Sequence, residues 1–312
     1  MGISVLVTRD FDHMSEVAER VVSESIVENL SRKEECVLGL ATGNSPTGLY
    51  RRLAGSANSG RFHPSRLRSF NLDEYVGLPG DNPQQRVLHP ESYCFFMIRE
   101  FFGLLKENFS QTSLPCASLI DQERLIRELA DNPGDWKEEG EDAGRAVSIR
   151  PDPLSPYLAW IRDTVLSAYE RQIEEAGGID LQVIGVGGRG HVGFHESGIP
   201  FDGNRVMLVK LDDNTIENAV ADGHFQSPQN SPRYAVTMGA ELIYQASTVV
   251  LLASGDRKRL PVALSLLEEP SAEIPISYGR MYTRNGGRLI YIIDRAAAEK
   301  LLDGKETAER RG

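Results

Sequence analysis

Apolar runs that end at a glycine or a polar turn recur along the chain, and each predicts a buried strand. These runs lie at residues 5–7, 36–41, 67–72, 181–186, 206–209, 248–253 and 288–294. Between most of them, apolar residues recur at three- and four-residue spacing, as at Met14, Val17 and Val21, which is typical of amphipathic helices. Because strands and helices alternate, we predict an α/β fold. The expected architecture is a mostly parallel, open, Rossmann-like sheet with helices on both faces.

One segment departs from this alternation. Residues 121–156 contain many charged and glycine residues and few apolar ones, and they predict an acidic insertion or a solvent-exposed loop. The segment lies between parts of the same alternating pattern, and we see no linker that would divide the chain. We therefore predict a single domain over residues 1–312.

Composition and charge narrow the function classes. The chain has 34 basic and 45 acidic residues, a net charge of −11, which argues against a nucleic-acid partner. Three scattered cysteines without a CxxC pair favour a reducing compartment. The start of the chain does not resemble a signal peptide, and no apolar run approaches the roughly 20 residues of a membrane span. We expect a cytoplasmic protein without a membrane partner.

A polar loop follows the predicted strand at 36–41 and leads into a helix. Free backbone N–H groups and the helix dipole make such a loop suited to an anion, here at Thr42, Gly43, Asn44 and Ser45. The spacing matches neither a nucleoside-triphosphate loop nor a dinucleotide fingerprint. A capped helix without a ligand is the alternative.

Lys258 follows another predicted strand, in the first turn of the next helix. A cation there is unfavourable for the helix dipole unless an anion binds nearby, so this position favours a phosphate site. A solvated surface lysine is the alternative.

Asp73 and Glu74 are adjacent at the end of the strand at 67–72. Neighbouring residues on an extended backbone point in opposite directions, so at most one of them faces a crevice at the sheet edge. A single carboxylate there suits proton abstraction from a carbon next to a carbonyl. A surface turn is the alternative.

A glycine-rich turn follows the strand at 181–186 and carries His191 and, five residues later, Glu196. A carboxylate beside an imidazole holds one tautomer and raises its basicity. His195 competes as the partner of Glu196, and a tight turn with an exposed histidine is the alternative.

The six histidines are scattered and HExxH is absent, so we predict no metal site. No GxSxG elbow indicates a serine hydrolase.

Four blocks in this chain resemble glucosamine-6-phosphate deaminases. They are GLATGNSP at 39–46, FNLDEYVGL at 70–78, ESY at 91–93 and GVGGRGHVGFHE at 185–196. The resemblance runs in order over about residues 36–260. The related 6-phosphogluconolactonases share the fold, but the DEYVGL block and the Gly-Phe-x-Glu ending favour the deaminases.

The resemblance implies an enzyme that converts glucosamine 6-phosphate, or a close relative, to fructose 6-phosphate and ammonia. It implies that Asp73 moves a proton from C2 to C1 and that His191, oriented by Glu196, opens the sugar ring. Thr42 to Ser45 and Lys258 then resemble a phosphate clamp. The implied partner is a small-molecule sugar phosphate, no cofactor or metal is required, and a homo-oligomer is possible.

Three departures from the family pattern leave the substrate open. Arg189 stands where the family usually carries an acid, and this cation would lower the pKa of His191, contact the substrate phosphate or pair with another acid. Val220 aligns near a substrate-binding arginine, and residues 205–210 do not match the family's allosteric pocket. Glu74 and Arg189 are possible site residues to which we assign no role. A lactone hydrolase and a non-catalytic sugar-phosphate-binding protein are the alternative functions.

Overall fold

We describe the protein from a computed structural model that covers residues 2–141, 144–221, 223 and 225–309. The strands are β1 (Ile3–Thr8), β2 (Cys36–Leu40), β3 (Leu67–Asn71), β4 (Asp73–Val76), β5 (Gln111–Ser113), β6 (Trp136–Glu139), β7 (Arg145–Ile149), β8 (Leu181–Ile184), β9 (Val206–Lys210), β10 (Tyr234–Met238), β11 (Thr248–Ala253) and β12 (Arg288–Asp294). The helices are α1 (Phe11–Leu30), α2 (Thr47–Asn58), α3 (Pro83–Val87), α4 (Tyr93–Glu100), α5 (Gln122–Asp131), α6 (Pro156–Trp160), α7 (Ser167–Glu175), α8 (Asp213–Ala221), α9 (Ala240–Ile243), α10 (Arg259–Leu267), α11 (Gly279–Arg284) and α12 (Arg295–Glu309). A π-helical segment, Ile161–Leu166, joins α6 to α7.

Seven strands form a wholly parallel sheet in the order β1-β12-β11-β8-β2-β3-β5. Its central strands are buried on both faces, as β11 shows. Val249 and Leu251 face one apolar cluster, whereas Val250 and Leu252 face the other, because side chains alternate along a strand. Helices cover both faces, so the predicted α/β class and parallel sheet are confirmed.

A second sheet is antiparallel and has the strand order β4-β10-β9-β7-β6. The sequence did not predict it, and two of its strands, β6 and β7, lie in the segment at 121–156. The expectation of a loop there was wrong, because that segment forms α5 and the hairpin of β6 and β7. Leu125, Leu129 and Val147 of this segment are buried in one cluster with Leu158. The assignment of a single domain stays a prediction.

The chain passes from the parallel sheet to the antiparallel sheet at Leu72. The backbone N–H of Leu72 donates to Leu40 O of β2 at 3.1 Å, and its carbonyl accepts from Met238 N of β10 at 2.7 Å. Both sheets therefore hold this residue, and the next residue, Asp73, begins β4 at the junction between them.

Among the described residues, no helix is both long and apolar enough to cross a membrane.

Candidate active site

A cavity of about 270 Å³ lies at the carboxyl ends of β2, β8 and β11, which are neighbours in the parallel sheet. An open α/β sheet binds its ligands at this edge. The cavity brings together seven of the residues that the sequence predicted, namely Thr42, Gly43, Asn44, Ser45, Asp73, His191 and Lys258. Glu74, Arg189 and Glu196 are not among the residues that line it.

The loop after β2 leads directly into α2. Pro46 occupies the cap position, and no side chain of the described residues caps the helix. Gly43 has a positive φ of 89°, a backbone conformation that favours glycine. The N–H groups at the start of α2 thus have no side-chain acceptor at the cap, which suits them to an anionic ligand.

The loop after β11 brings cations to the same cavity. Arg257 and Lys258 both line it, and they lie in a short turn directly before α10. The carboxylate of Asp294 fixes this loop by accepting from Ser254 Oγ at 2.6 Å and from Gly255 N at 3.1 Å. Arg257 was missed in the sequence because one arginine among three consecutive basic residues carries no distinguishing signal.

Asp73 is the buried carboxylate of the cavity, with only 5% of its surface exposed. Within the described part of the chain, its Oδ1 has no hydrogen-bond partner. Burial, together with the charge of Glu74, raises its pKa to about 8, and a hydrogen bond from Thr42 opposes the rise. In its ionised form such a weakly solvated carboxylate is a stronger base than a carboxylate in water.

Glu74 points away from the cavity. Its carboxylate accepts from Ser92 Oγ at 2.7 Å, from Tyr93 N at 3.1 Å and from Cys94 N at 3.1 Å, all at the start of α4. Burial raises the pKa of Glu74 above its usual value, and these hydrogen bonds oppose part of that rise. The alternation argument is therefore confirmed, because one of the two adjacent carboxylates faces the cavity and the other caps a helix.

His191 and Glu196 form the pair that the sequence predicted. His191 Nδ1 lies 3.2 Å from Glu196 Oε2, and Thr215 Oγ1 donates to Glu196 Oε1 at 2.7 Å. Burial raises the pKa of Glu196, but the charge of His191, the hydroxyl of Thr215 and the charge of Arg189 outweigh it and hold this pKa below its usual range. Thr215 was missed because a threonine on a polar helix has no sequence signal.

His195, the competing histidine, has a structural role. Ala240 N donates to its Nδ1 at 3.0 Å, so the proton lies on Nε2, which donates to Ile199 O at 3.0 Å. Burial lowers its pKa to about 4, so the ring is neutral at physiological pH. Both ring nitrogens of His195 bind backbone groups, so the histidine that pairs with the Glu196 carboxylate is His191.

Arg189 pairs with an acid other than Glu196. Its guanidinium forms an ion pair with Asp212, which is 3% exposed, whereas the arginine side chain is 39% exposed. Of the three roles considered for Arg189, the structure therefore shows the contact with a different acid.

Aromatic side chains form another wall of the cavity. Tyr75, Tyr93 and Phe194 line it, and the rings of Tyr93 and Phe194 stack at 5.9 Å. Tyr93 was not among the predicted site residues, because an aromatic residue on a helix predicts packing more readily than a site.

Known proteins with similar sequences are glucosamine-6-phosphate deaminases. The enzyme of Clostridium acetobutylicum is 31% identical over 300 residues, which cover 96% of this chain and 100% of that protein. That of Rhodopirellula baltica is 34% identical over 292 residues, 94% of each chain. No family model matches the chain.

Solved structures show the same fold. A monomeric glucosamine-6-phosphate deaminase of the NagB superfamily is 27% identical, with a TM-score of 0.69 over 96% of this chain and 99% of that one. The 6-phosphogluconolactonase of Thermotoga maritima, at 16% identity and a TM-score of 0.59, shares the fold over 94% of this chain.

Proposed function

Because the chain belongs to the glucosamine-6-phosphate deaminase family, we propose that it converts glucosamine 6-phosphate and water to fructose 6-phosphate and ammonia. The observation that supports this most is Asp73, a buried carboxylate with an unpartnered oxygen in the same cavity as His191. The cavity thus combines a base for a carbon-bound proton with an imidazole that can act at an oxygen.

The proposed reaction begins with ring opening. His191, held by Glu196, moves the proton of the C1 hydroxyl to the ring oxygen as the C1–O5 bond breaks. The phosphate lies near Arg257, Lys258 and the loop from Thr42 to Ser45, where cations and backbone N–H groups can bind its charge.

Isomerisation then requires a base at C2. Asp73 takes the C2 proton while the C1 oxygen gains one, which gives an enolamine, and Asp73 returns its proton to C1. The resulting C2 iminium adds water and releases ammonia, so that C2 becomes the ketone of fructose 6-phosphate. Every step in this account is a proton transfer, a water addition or the loss of ammonia, and none requires a cofactor.

A coupled assay of ammonia release across a panel of amino-sugar 6-phosphates tests this function. We expect turnover of glucosamine 6-phosphate and none of the same sugar without its phosphate. The lactone hydrolase is tested with 6-phosphogluconolactone, and hydrolysis of that compound with no ammonia release would replace our proposal. Saturable binding of glucosamine 6-phosphate without turnover would instead indicate the non-catalytic binding protein.

Location and assembly belong to the same proposal. Cys36, Cys94 and Cys116 are free thiols, which favours a cytoplasmic enzyme. Sedimentation of the purified protein distinguishes a homo-oligomer from a monomer, the state in which one structural neighbour is described.

A further inference from the structure

Thr215 joins the site from a distant part of the chain. It lies in α8, which follows β9, whereas His191 and Glu196 lie in the loop after β8. Its hydroxyl donates to one oxygen of Glu196 at 2.7 Å, and the other oxygen of that carboxylate lies 3.2 Å from His191 Nδ1. The two oxygens of Glu196 are therefore held by different elements.

A second contact holds the start of α8 on the same loop. Asp212 directly precedes the helix, and its carbonyl accepts from Ile216 N at 3.1 Å. Its buried carboxylate is paired with Arg189, which lies two residues before His191. The loop that presents the imidazole thus binds the residue at the helix start, three positions from Thr215.

We propose that Arg189, Asp212 and Thr215 form a positioning unit for the pair of His191 and Glu196. The ion pair fixes the start of α8, the helix places the Thr215 hydroxyl on Glu196, and Glu196 orients the imidazole for ring opening. This inference rests on the proposed function for its role in catalysis, but the contacts that carry it do not depend on the substrate.

Burial explains why Glu196 needs this support. The side chain is 1% exposed, and the backbone at Gly144 approaches so closely that a Cβ there would lie 2.5 Å from Glu196 Cβ. A buried carboxylate stays ionised only if charges and hydrogen bonds replace water. The charged groups that act on it are His191 and Arg189, both from its own loop, and α8 adds the Thr215 hydroxyl.

The main test replaces Thr215 by valine, which keeps the shape but removes the hydroxyl. One hydrogen bond to a charged group is lost, so we expect kcat on glucosamine 6-phosphate to fall about tenfold. Because the ionised form of Glu196 loses a donor, activity should be lost at a higher pH on the acid side than in the wild type.

Two further variants serve as controls. Thr215→Ser retains the hydroxyl and should restore both kcat and the pH profile. Thr283→Val removes a hydroxyl that bonds only to Arg280 O in its own helix, among the described contacts, and should leave both unchanged. If Thr215→Val kept the wild-type pH profile, or if Thr215→Ser failed to restore it, the inference would be wrong.

Coupling between the two contacts tests the role of the ion pair. Arg189→Met should also lower kcat, and the double variant should lose less than the product of the two single losses, because both changes release the same hydroxyl. Losses that multiply would contradict a shared unit. Arg205→Met, which removes ion pairs to Glu170 and Glu174, is the matched control and should retain full activity.

A measurement without substrate separates this inference from the proposed function. The carboxyl carbon of Glu196, followed by NMR, should titrate at a higher pH in Thr215→Val than in the wild type. If the wild type released no ammonia but this shift occurred, the proposed function would be wrong and the positioning unit would be confirmed. If ammonia were released but the titration did not move, only the positioning unit would fail.

Discussion

Asp73 is the residue in which function and stability oppose each other. Its usual pKa is 3.8, and burial raises this pKa to about 8, so the folded protein favours the protonated acid. An ionised carboxylate at this position is therefore unfavourable for folding, although it is the form that acts as a base. Selection for stability alone would not retain such a group.

Asp73→Asn should accordingly stabilise the protein at neutral and alkaline pH. Since the folded-state pKa lies above the unfolded one, the wild type loses stability as pH rises from about 4 to about 8, and asparagine removes that loss. We expect a gain of about 1–3 kcal/mol at pH 8, measured by thermal unfolding, which disappears near pH 4.

The exposed Asp81 provides a control for this stability measurement. Asp81→Asn changes a carboxylate in water and should show no pH-dependent gain. If Asp73→Asn were less stable than the wild type at pH 8, the ionised carboxylate would not be unfavourable for folding, and this explanation would be wrong.

Single residues were predictable from the sequence where a chemical group followed a predicted strand and the local pattern distinguished it from its neighbours. Asp73, His191 and Lys258 meet that condition, and all three line the cavity. Thr215 and Arg257 do not meet it, because their contribution depends on where the fold places a polar helix and a basic turn. Such placement is a tertiary property that local pattern does not contain.

At the scale of elements, the loop between β8 and β9 depends on close backbone approach at two glycines. A Cβ on Gly187 would lie 1.9 Å from Nε2 of His191, so the imidazole packs directly on that backbone. A Cβ on Gly193 would lie 2.7 Å from Thr237 Oγ1 and 3.3 Å from Asp73 Oδ2, and its φ is +55°. Because both positions are glycine, the loop packs directly against the His191 imidazole and leaves room for the Asp73 carboxylate.

Gly187→Ala should displace the imidazole of His191. The methyl group occupies the space of the ring, so we expect kcat to fall about a hundredfold or more, as when a general acid–base group is lost. Steady-state kinetics measure this loss. Gly55→Ala is the matched control, because that exposed glycine lies in α2 with open space around it and should retain full activity. Wild-type turnover by Gly187→Ala would show that the ring position is not essential.

The elements that sequence pattern identified were six strands of the parallel sheet and one strand of the antiparallel sheet, β9. The antiparallel sheet was missed because its outer strands carry charge, as in Trp136–Glu139, where two glutamates and a lysine follow the tryptophan. This strand is half exposed at a sheet edge, so its composition is close to that of a loop.

At the scale of the whole molecule, the site lies where the two sheets meet. The parallel sheet supplies the anion-binding loops and His191 from the ends of β2, β8 and β11. The antiparallel sheet supplies Asp73 from the first position of β4. The fold therefore places a base and an imidazole in one cavity although they come from different sheets, which explains why four separated sequence blocks were needed to recognise the family.

Ammonia release from glucosamine 6-phosphate by the wild type and by Asp73→Asn tests the central claim most directly. The stability measurement shows whether the variant is folded, so a loss of activity can be assigned to the missing base. We expect the wild type to release ammonia and the variant to be slower by a factor of about 10²–10⁴, the usual contribution of a general base. Full ammonia release by Asp73→Asn would contradict the account.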